Sequence, residues 1–333
     1  MREAAQIRLL PGGRRLHLHD GPIDLIVEAF GLTQEINAAY QAAAARFATV
    51  LDELCSELAL LRQPAGKIPV GVIAKRMVAA VAPYAQQTFI TPMAAVAGAV
   101  AEEILGAMTF AASLSRAYVN NGGDIALHLA PGEKFVVGMI ERPDRPSLFG
   151  TATLASSQPA RGIATSGWRG RSFSLGIADA VTVLADRAAV ADAAATIIAN
   201  AVDLPGHPAV VRVRARDLAP DSDLGALLVT QGVGKLSANE IDAALDAGVA
   251  VANSLFSNGL IRSAALHLHG NTRVLRHDHW VSNVPSEAEM LALAAKKSGK
   301  GMASAVPLRA PEPVASAAEG MFARRRTQIN CGT

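Results

Sequence analysis

Residues 185–202 read ADRAAVADAAATIIANAV, an alanine-rich stretch with few charges. Alanine has the highest helix propensity, and its small side chain lets a neighbouring backbone approach closely. The stretch therefore predicts a helix over 185–202 that packs tightly against a sheet or another helix. A similar alanine-rich segment at 94–106 suggests an internal duplication.

Two oxygen-bearing side chains interrupt the apolar character of this helix. Asp192 and Thr196 are four residues apart and so share one helical face. A carboxylate and a hydroxyl at that spacing are oxygen ligands suited to Mg²⁺ or Ca²⁺. The alternative is structural: an aspartate favoured by the helix dipole and a threonine that packs as a small residue.

Outward from this helix, strand-like and helical segments follow each other irregularly. Alternating or apolar runs predict strands at IRLL, RRLHLHD, PIDLIVEAF, AYVN, DIALHLA, KFVVGMI, TATLAS, DAVTVLA, AVVRVRA and SAALHLHG. Helical periodicity predicts helices over 33–62, with Thr33 as cap, over 70–82, over 92–115 and from Ser237, whose partner Glu240 completes a capping box. The order favours an α+β fold with mainly antiparallel sheets and alanine-rich helices.

Composition narrows the class of protein. The chain has 333 residues, of which 50% are hydrophobic and 66 are alanine, so a large core is available and general disorder is excluded. The net charge of +2 is too small to create a positive electrostatic potential that would attract nucleic acid. We expect one domain over 1–280, followed at 281–333 by a short helix (286–297) and a flexible tail.

The cellular setting is predicted from the same composition. Two cysteines, Cys55 and Cys331, are too few for a disulfide framework, which fits a reducing compartment. The N-terminus lacks the apolar core of a signal peptide. The apolar stretch at 88–114 is interrupted by charges, proline and glycine, so we interpret it as a buried helix and not a membrane span. We expect a cytoplasmic protein and, from its small-residue helices, a homo-oligomer.

The first candidate site is the segment Asn120-Asn121-Gly122-Gly123-Asp124, which lies between two predicted strands. Paired glycines permit positive φ and leave main-chain N–H groups unshielded. The neighbouring Asn and Asp side chains can hydrogen-bond a ligand, or they can merely close a tight hairpin turn.

The second candidate site is the segment 162–172, in which a strand opens into a loop of small residues. It offers the hydroxyls of Thr165 and Ser166, followed by Gly167. Next come the indole of Trp168 and the guanidinium groups of Arg169 and Arg171. Hydroxyls, main-chain amides and guanidinium groups can hold a phosphate, and an indole can stack on a ring. The loop lacks the lysine of a P-loop, and an exposed polar loop is an equal interpretation.

Six of the eight histidines occur as His-x-His pairs: His17/His19, His267/His269 and His277/His279. On a strand, residues i and i+2 point to the same face, so each pair could ligate a transition metal. Solvent-facing or mutually packed histidines are the commoner outcome. Convergence of two of these pairs in space would instead favour a metal site.

Taken in order, the motifs resemble those of the ApbE-like superfamily, the FAD:protein FMN transferases and their relatives. The family patterns N-x-G-G-D, A-T-S-G, V-T-V and A-D-A-x-x-T are matched at 120–124, 164–167, 181–183 and 191–196, and a G-I-A-K-G pattern loosely at 94–98. The flanking segments GPIDLIVEAFG and HLHG are similar to a poorly characterised bacterial and archaeal branch. The resemblance covers about residues 90–205.

The resemblance implies an ApbE-like, T-fold-related fold, with Mg²⁺ and FAD or FMN as cofactors. It places Mg²⁺ at Asp192, Thr196 and a main-chain carbonyl near Val96. It places the flavin or another anionic nucleotide against residues of the two loops, namely Asn121, Gly122, Gly123, Thr165, Ser166, Gly167, Arg169 and Arg171.

The sequence departs from the transferases where they hold a catalytic histidine. Only WRGRSFSLGIADA joins the A-T-S-G and V-T-V motifs, and it contains no histidine, while Ala97 occupies the upstream lysine position. Asp124 and Asp179 are the substitutes available as catalytic groups. Three interpretations stay open: a flavin-transferring enzyme, a non-catalytic accessory subunit with a protein partner in redox or sulfur metabolism, and a different enzyme on the same scaffold.

Overall fold

Nine antiparallel strands form the main sheet of the computed structural model, which describes residues 5–64, 68–140, 148–275 and 280–281. The strands lie in the order β1-β2-β3-β4-β5-β8-β9-β12-β13. Their bounds are β1 Gln6–Leu9, β2 Arg15–Asp20, β3 Ile23–Phe30, β4 Arg116–Asn121, β5 Asp124–Leu129, β8 Gly162–Ser166, β9 Ala180–Ala185, β12 Ser263–Leu268 and β13 Asn271–Leu275.

The remaining strands form two smaller sheets. One contains β14 (Trp280–Val281), β7 (Leu148–Ala155) and β6 (Lys134–Ile140) in that order, and the other pairs β10 (Val210–Arg214) with β11 (Leu228–Val233). Every described pair in all three sheets is antiparallel. The α+β class predicted from the sequence is confirmed.

The helices are alanine-rich and several lie side by side. Their bounds are α1 Thr33–Ser56, α2 Leu58–Leu61, α3 Val72–Val81, a 3₁₀ turn Pro92–Ala95, α4 Val96–Ala111, α5 Ala188–Ala201, α6 Ala215–Leu218 and α7 Ala238–Ser257. Helix α4 packs against α1 and α5, and α5 packs against α7. The same helices contact strands of the main sheet, so they form a layer on one of its faces.

Small residues set the distance between these layers. A Cβ atom on Gly98 of α4 would lie 2.3 Å from the main-chain oxygen of Ala188, and one on Gly162 of β8 would lie 2.2 Å from the main-chain carbon of Arg187. Seven alanines of α5 are buried. The close packing predicted from alanine content thus brings the start of α5 against both α4 and β8.

The two faces of the main sheet bury different clusters. On the helical side a large core includes Phe47, Met77 and Ile104 together with most of the buried alanines. On the other side, Tyr118 and Ile125 pack with Phe135 of β6, so the three-stranded sheet covers part of that face. The alternation of side chains along β4 and β5 supplies both clusters.

Several boundaries differ from the sequence prediction. Thr33 is the first residue of α1 and its side chain does not cap the helix. The helix predicted over 33–62 is interrupted at Glu57, and the one predicted over 92–115 begins as a 3₁₀ turn at Pro92 and ends at Ala111. The Ser237–Glu240 capping box is confirmed.

Strands β11, β13 and β14 were not predicted. Each is short and pairs with a predicted strand, so the partner strand provides the ladder that local pattern did not indicate. The helix predicted at 286–297, the tail, Cys331 and the pair His277/His279 lie outside the described residues. The boundary of the predicted domain at 280 stays a prediction.

One helical stretch among the described residues, Pro92–Ala111, is long and apolar enough to cross a membrane by length and composition alone. Its buried residues include Val100, Ile104 and Met108, all of which belong to the main core cluster. This stretch is thus a core helix, as the interrupting glycines and glutamates predicted.

Candidate functional site

A cavity of about 450 Å³ lies where the first two candidate motifs meet. Its wall includes the β4–β5 turn, the end of β8, the first turn of α4 and one face of α5. The segments that the sequence separates by up to 100 residues therefore converge on one space, because α4 and α5 pack side by side across the ends of these strands.

The β4–β5 turn is a two-residue hairpin as well as a part of the cavity wall. Asn121 pairs with Asp124, and the intervening Gly122 and Gly123 have φ of +66° and +120°, which favours glycine at both positions. The Gly123 amide donates to Asn120 Oδ1 at 2.8 Å. The tight hairpin turn is thus confirmed, and ligand binding by these residues stays a prediction.

Helix α5 presents a polar stripe to the cavity. Asp192, Thr196 and Asn200 recur every four residues and all three line the wall, although nearly all of their neighbours in the helix are buried and apolar. Asp192 Oδ2 accepts a hydrogen bond from the Gly98 amide at 3.0 Å. That contact ties the stripe to the N-terminal turn of α4, whose main-chain N–H groups favour a negative charge.

Asp124 lies in the same wall as Asp192, and each affects the charge state of the other. Burial raises the pKa of Asp124 to about 7, although the Thr165 amide, which donates to its Oδ1 at 3.2 Å, and the charge of Arg171 both oppose that rise. Burial and then the charge of Asp124 raise the pKa of Asp192 well above its usual value. Two carboxylates thus share one partly enclosed space, and the charge of Arg171 offsets only part of the effect of burial on Asp124.

The loop after β8 supplies hydroxyls and one cation. Thr165 Oγ1 is 2.9 Å from Thr182 Oγ1 on β9, and Ser166 and Gly167 continue the wall. The guanidinium of Arg171 lies directly over Gly122, since a Cβ atom there would be 2.0 Å from one of its nitrogens. Because Gly122 has no side chain, the guanidinium of Arg171 has room at the mouth of the cavity.

Asp179 and Arg169 lie away from the described cavity lining. Asp179 is buried and accepts hydrogen bonds from Arg169 Nε at 2.5 Å, Trp168 Nε1 at 3.1 Å and the His269 amide at 2.7 Å. The Arg169 guanidinium also covers the Trp168 ring at 4.3 Å. These contacts give both residues a structural role that anchors the loop to β12.

The remaining predicted residues are placed as follows. Val96 lines the cavity at the start of α4, and its neighbour Ala97 accepts a hydrogen bond on its main-chain oxygen from Asn121 Nδ2 at 3.2 Å. Of the thirteen residues predicted for the site, the structure brings all except Asp179 and Arg169 to one cavity. Their functional roles stay predictions.

Some lining residues were missed. Asn200 could have been found by extending the four-residue spacing of Asp192 and Thr196 by one more turn. Thr182 lies within the matched V-T-V motif. Thr91 and Asp223, which hydrogen-bond each other at 2.5 Å, and the apolar residues near Phe89 carry no sequence signal that separates them from ordinary loop and core residues.

The donors present suit a divalent cation. Carboxylate and hydroxyl oxygens are the ligands that Mg²⁺ prefers, and a cation would offset the charge of Asp124 that raises the pKa of Asp192. The residues that would hold it are Asp192 and Thr196. The main-chain oxygen of Ala97, already engaged by Asn121, is a weaker candidate than the carboxylates.

Comparison with known proteins identifies the family. The family model described as "AbpE bacteria" matches residues 7–274. UPF0280 proteins of two archaea are similar: that of Methanopyrus kandleri is 39% identical over 149 residues, which is 45% of this chain and 56% of that protein, and that of Methanococcoides burtonii is 40% identical over 139 residues, 41% and 55% respectively. The chain thus spans about half the length of the curated relatives that it matches.

A solved structure is also similar, a mutant of the flavin transferase ApbE from Vibrio cholerae. The two share 11% identity over 79% of this chain and 97% of that one, with a TM-score of 0.35. At that distance the assignment rests on the family model and on the relatives. The chain belongs to the bacterial AbpE family and, with it, to the ApbE-like superfamily whose ordered motifs its sequence carries.

Proposed function

We propose that the cavity binds an anionic nucleotide-type ligand together with a divalent cation, and that a flavin nucleotide with Mg²⁺ is the first candidate. One observation carries the proposal: the carboxylates of Asp124 and Asp192 share a cavity whose mouth holds the guanidinium of Arg171. Bare carboxylates would repel an anion, so a cation at that end is required for an anionic ligand to approach.

The described residues divide the cavity into parts with different chemistry. Asp192 and Thr196 supply oxygen ligands for the cation. Arg171 and the Ser166 hydroxyl supply donors for phosphate oxygens. Phe89, Ile90 and Met93 supply an apolar wall that suits a ring system.

The family resemblance makes transfer of FMN from FAD the candidate reaction. A bound Mg²⁺ would polarise the pyrophosphate and neutralise its charge. Within the chain, Asp124 is the group suited to accept a proton, because its pKa of about 7 allows both charge states near neutral pH. Asp179 is engaged by three donors outside the cavity lining and is not proposed for this step.

One observation favours a second candidate, a ligand-binding subunit without transferase activity. The segment between Gly167 and Val181 contains no histidine, whereas the transferases carry their catalytic histidine there. In that case the cavity and its cation site are retained and the transfer step is absent.

A binding experiment and a turnover experiment separate these outcomes. We expect FAD or FMN with Mg²⁺ to raise the melting temperature of the wild-type protein, and Asp192→Asn and Arg171→Gln each to reduce that rise. Arg214→Gln is the matched control, since Arg214 is an exposed arginine of β10 that does not line the cavity. No shift with any flavin or adenine nucleotide would exclude the proposed ligand class.

Turnover is measured by mass spectrometry of AMP released from FAD in the presence of an acceptor peptide that contains Ser and Thr. AMP release that requires both Mg²⁺ and Asp124 supports the transferase. Binding without AMP release supports the ligand-binding subunit.

A further inference from the structure

The outer face of the β2–β3 hairpin carries a second group of potential metal ligands. His17 and His19 point to one face of β2, and Asp24 lies opposite His19 on β3. One ligand atom from each residue lies within 4.8 Å of the other two. Within the described ranges, no other set of three or more His, Cys, Asp or Glu side chains meets that condition.

The distances suit a shared ion. His17 Nε2 is 2.8 Å from Asp24 Oδ1, and His19 Nδ1 is 3.5 Å from Asp24 Oδ2. Ligands about 2.0–2.2 Å from a tetrahedral ion are separated from each other by roughly 3.3–3.6 Å. Small side-chain rotations would therefore admit an ion, and the strand pairing holds the three Cα positions fixed.

His19 Nδ1 is shielded from solvent and has no hydrogen-bond partner in the structure. A buried ring nitrogen without a partner is costly, so its orientation toward Asp24 requires an explanation. A metal ion between the two groups would satisfy that nitrogen and the carboxylate together.

We propose that His17, His19 and Asp24 bind a divalent transition-metal ion of the class that prefers imidazole, such as Zn²⁺. Two imidazoles and one carboxylate distinguish this site from the all-oxygen ligands of the cavity. The Asp24 side chain is 41% exposed, which leaves access for the ion and room for water or a further ligand on it. The site is independent of the function proposed for the cavity.

Arg8 on β1 competes with the metal. Its Nε donates to His17 Nδ1 at 3.0 Å, so Nδ1 is unprotonated in this arrangement. When Nε2 of a neutral histidine binds a metal, its proton resides on Nδ1, which then cannot accept from Arg8. The exposed Arg8 side chain must move away, and its positive charge opposes the ion. Arg8 therefore weakens metal affinity.

The test is a titration of the full chain with Zn²⁺, and with Co²⁺ as a spectroscopic probe, in excess Mg²⁺ so that the cavity is occupied. We expect one equivalent to bind and Co²⁺ to show the visible absorption of a low-coordinate nitrogen and oxygen site. Removal of a residue that only orients a metal ligand lowers metal affinity by about 10–100-fold. Removal of a ligand itself should cost at least as much. His17→Gln, His19→Gln and Asp24→Asn should therefore each weaken Zn²⁺ binding by at least about tenfold. Arg8→Gln should strengthen it.

The controls are chosen to preserve binding. His207→Gln removes a histidine that pairs with Glu240 at 2.9 Å and, among the described residues, belongs to no group of three potential ligands. Asp192→Asn tests the cavity, and the double variant His277→Gln/His279→Gln tests the other His-x-His pair. Circular dichroism confirms that each variant is folded. The proposal is overturned if the wild type binds no Zn²⁺, if the three ligand variants bind as the wild type does, or if binding is lost in a control.

Discussion

Asp192 Oδ2 accepts a hydrogen bond from the main-chain nitrogen of Gly98 at 3.0 Å, and this contact joins α5 to the first turn of α4. The carboxylate best placed to hold a cation therefore also satisfies a main-chain donor at a helix N-terminus. Variants of Asp192 that keep or remove its hydrogen-bond acceptor therefore separate the two roles.

Asp192→Asn should abolish stabilisation by Mg²⁺ while it preserves the fold, because the amide oxygen can still accept from Gly98. For the wild type, Mg²⁺ at 100 times its Kd should raise the free energy of unfolding by about 2.7 kcal/mol. Melting temperature with and without Mg²⁺ measures the effect. Asp192→Ala should lower the melting temperature without Mg²⁺ as well, since the acceptor is lost at a cost of about 1 kcal/mol. An Asn variant with the wild-type Mg²⁺ shift would contradict the cation assignment.

Gly98→Ala should destabilise the protein because the new methyl group would lie 2.3 Å from the main-chain oxygen of Ala188. Overpacking of this kind costs about 1–3 kcal/mol. Gly106→Ala is the matched control in the same helix, since no atom lies within 4 Å of its added methyl group. It should stabilise the protein by about 0.5–1 kcal/mol. Urea denaturation measures the change in the free energy of unfolding for each variant. Equal changes for Gly98→Ala and Gly106→Ala would refute the close packing of α4 on α5.

Asp124 should make the cation-free protein less stable as pH rises from about 4 to about 7. In the unfolded chain this carboxyl ionises near its usual pKa of 3.8, whereas in the fold burial holds the pKa at about 7. Between those values the folded state binds more protons, so its stability falls with rising pH, by at most about 1.4 kcal/mol per pH unit for one proton.

Asp124→Asn should remove part of that slope, because the amide does not ionise and can still accept from the Thr165 amide. The remainder is expected from Asp192, whose pKa is also raised. Chemical denaturation at several pH values measures the slope of each protein. Identical slopes for variant and wild type would show that Asp124 is ionised throughout this range.

Asp179→Asn should destabilise the loop after β8 without altering the cation effect. The substitution removes the charge that Arg169 pairs with at 2.5 Å, in a group that is nearly inaccessible to solvent. Loss of a charged hydrogen-bond partner at a buried site costs about 1–3 kcal/mol. The free energy of unfolding should fall by that amount while the Mg²⁺-induced shift stays at its wild-type value. A lost shift would instead place Asp179 in the cation site.

Local pattern in the sequence was sufficient for most of the secondary structure. The alternation of β2 and β3, the alanine-rich periodicity of α5 and the capping box at Ser237 are properties of neighbouring residues, and the structure has all of them. The four-residue spacing of Asp192 and Thr196 likewise determined that they share one face.

Which polar residues come together depends on how distant segments pack. Asp124 begins strand β5 and Asp179 directly precedes strand β9. Asp124 nevertheless lines the cavity, whereas Asp179 is enclosed by Arg169 and Trp168. That outcome depends on how closely α4 and α5 approach the sheet. Contacts between glycines and alanines that are far apart in the chain determine this distance. Patterns among neighbouring residues were enough to predict most of the elements and the face that Asp192 and Thr196 share. The convergence of carboxylates arose from packing, because burial and mutual charge exist only after distant segments are brought together.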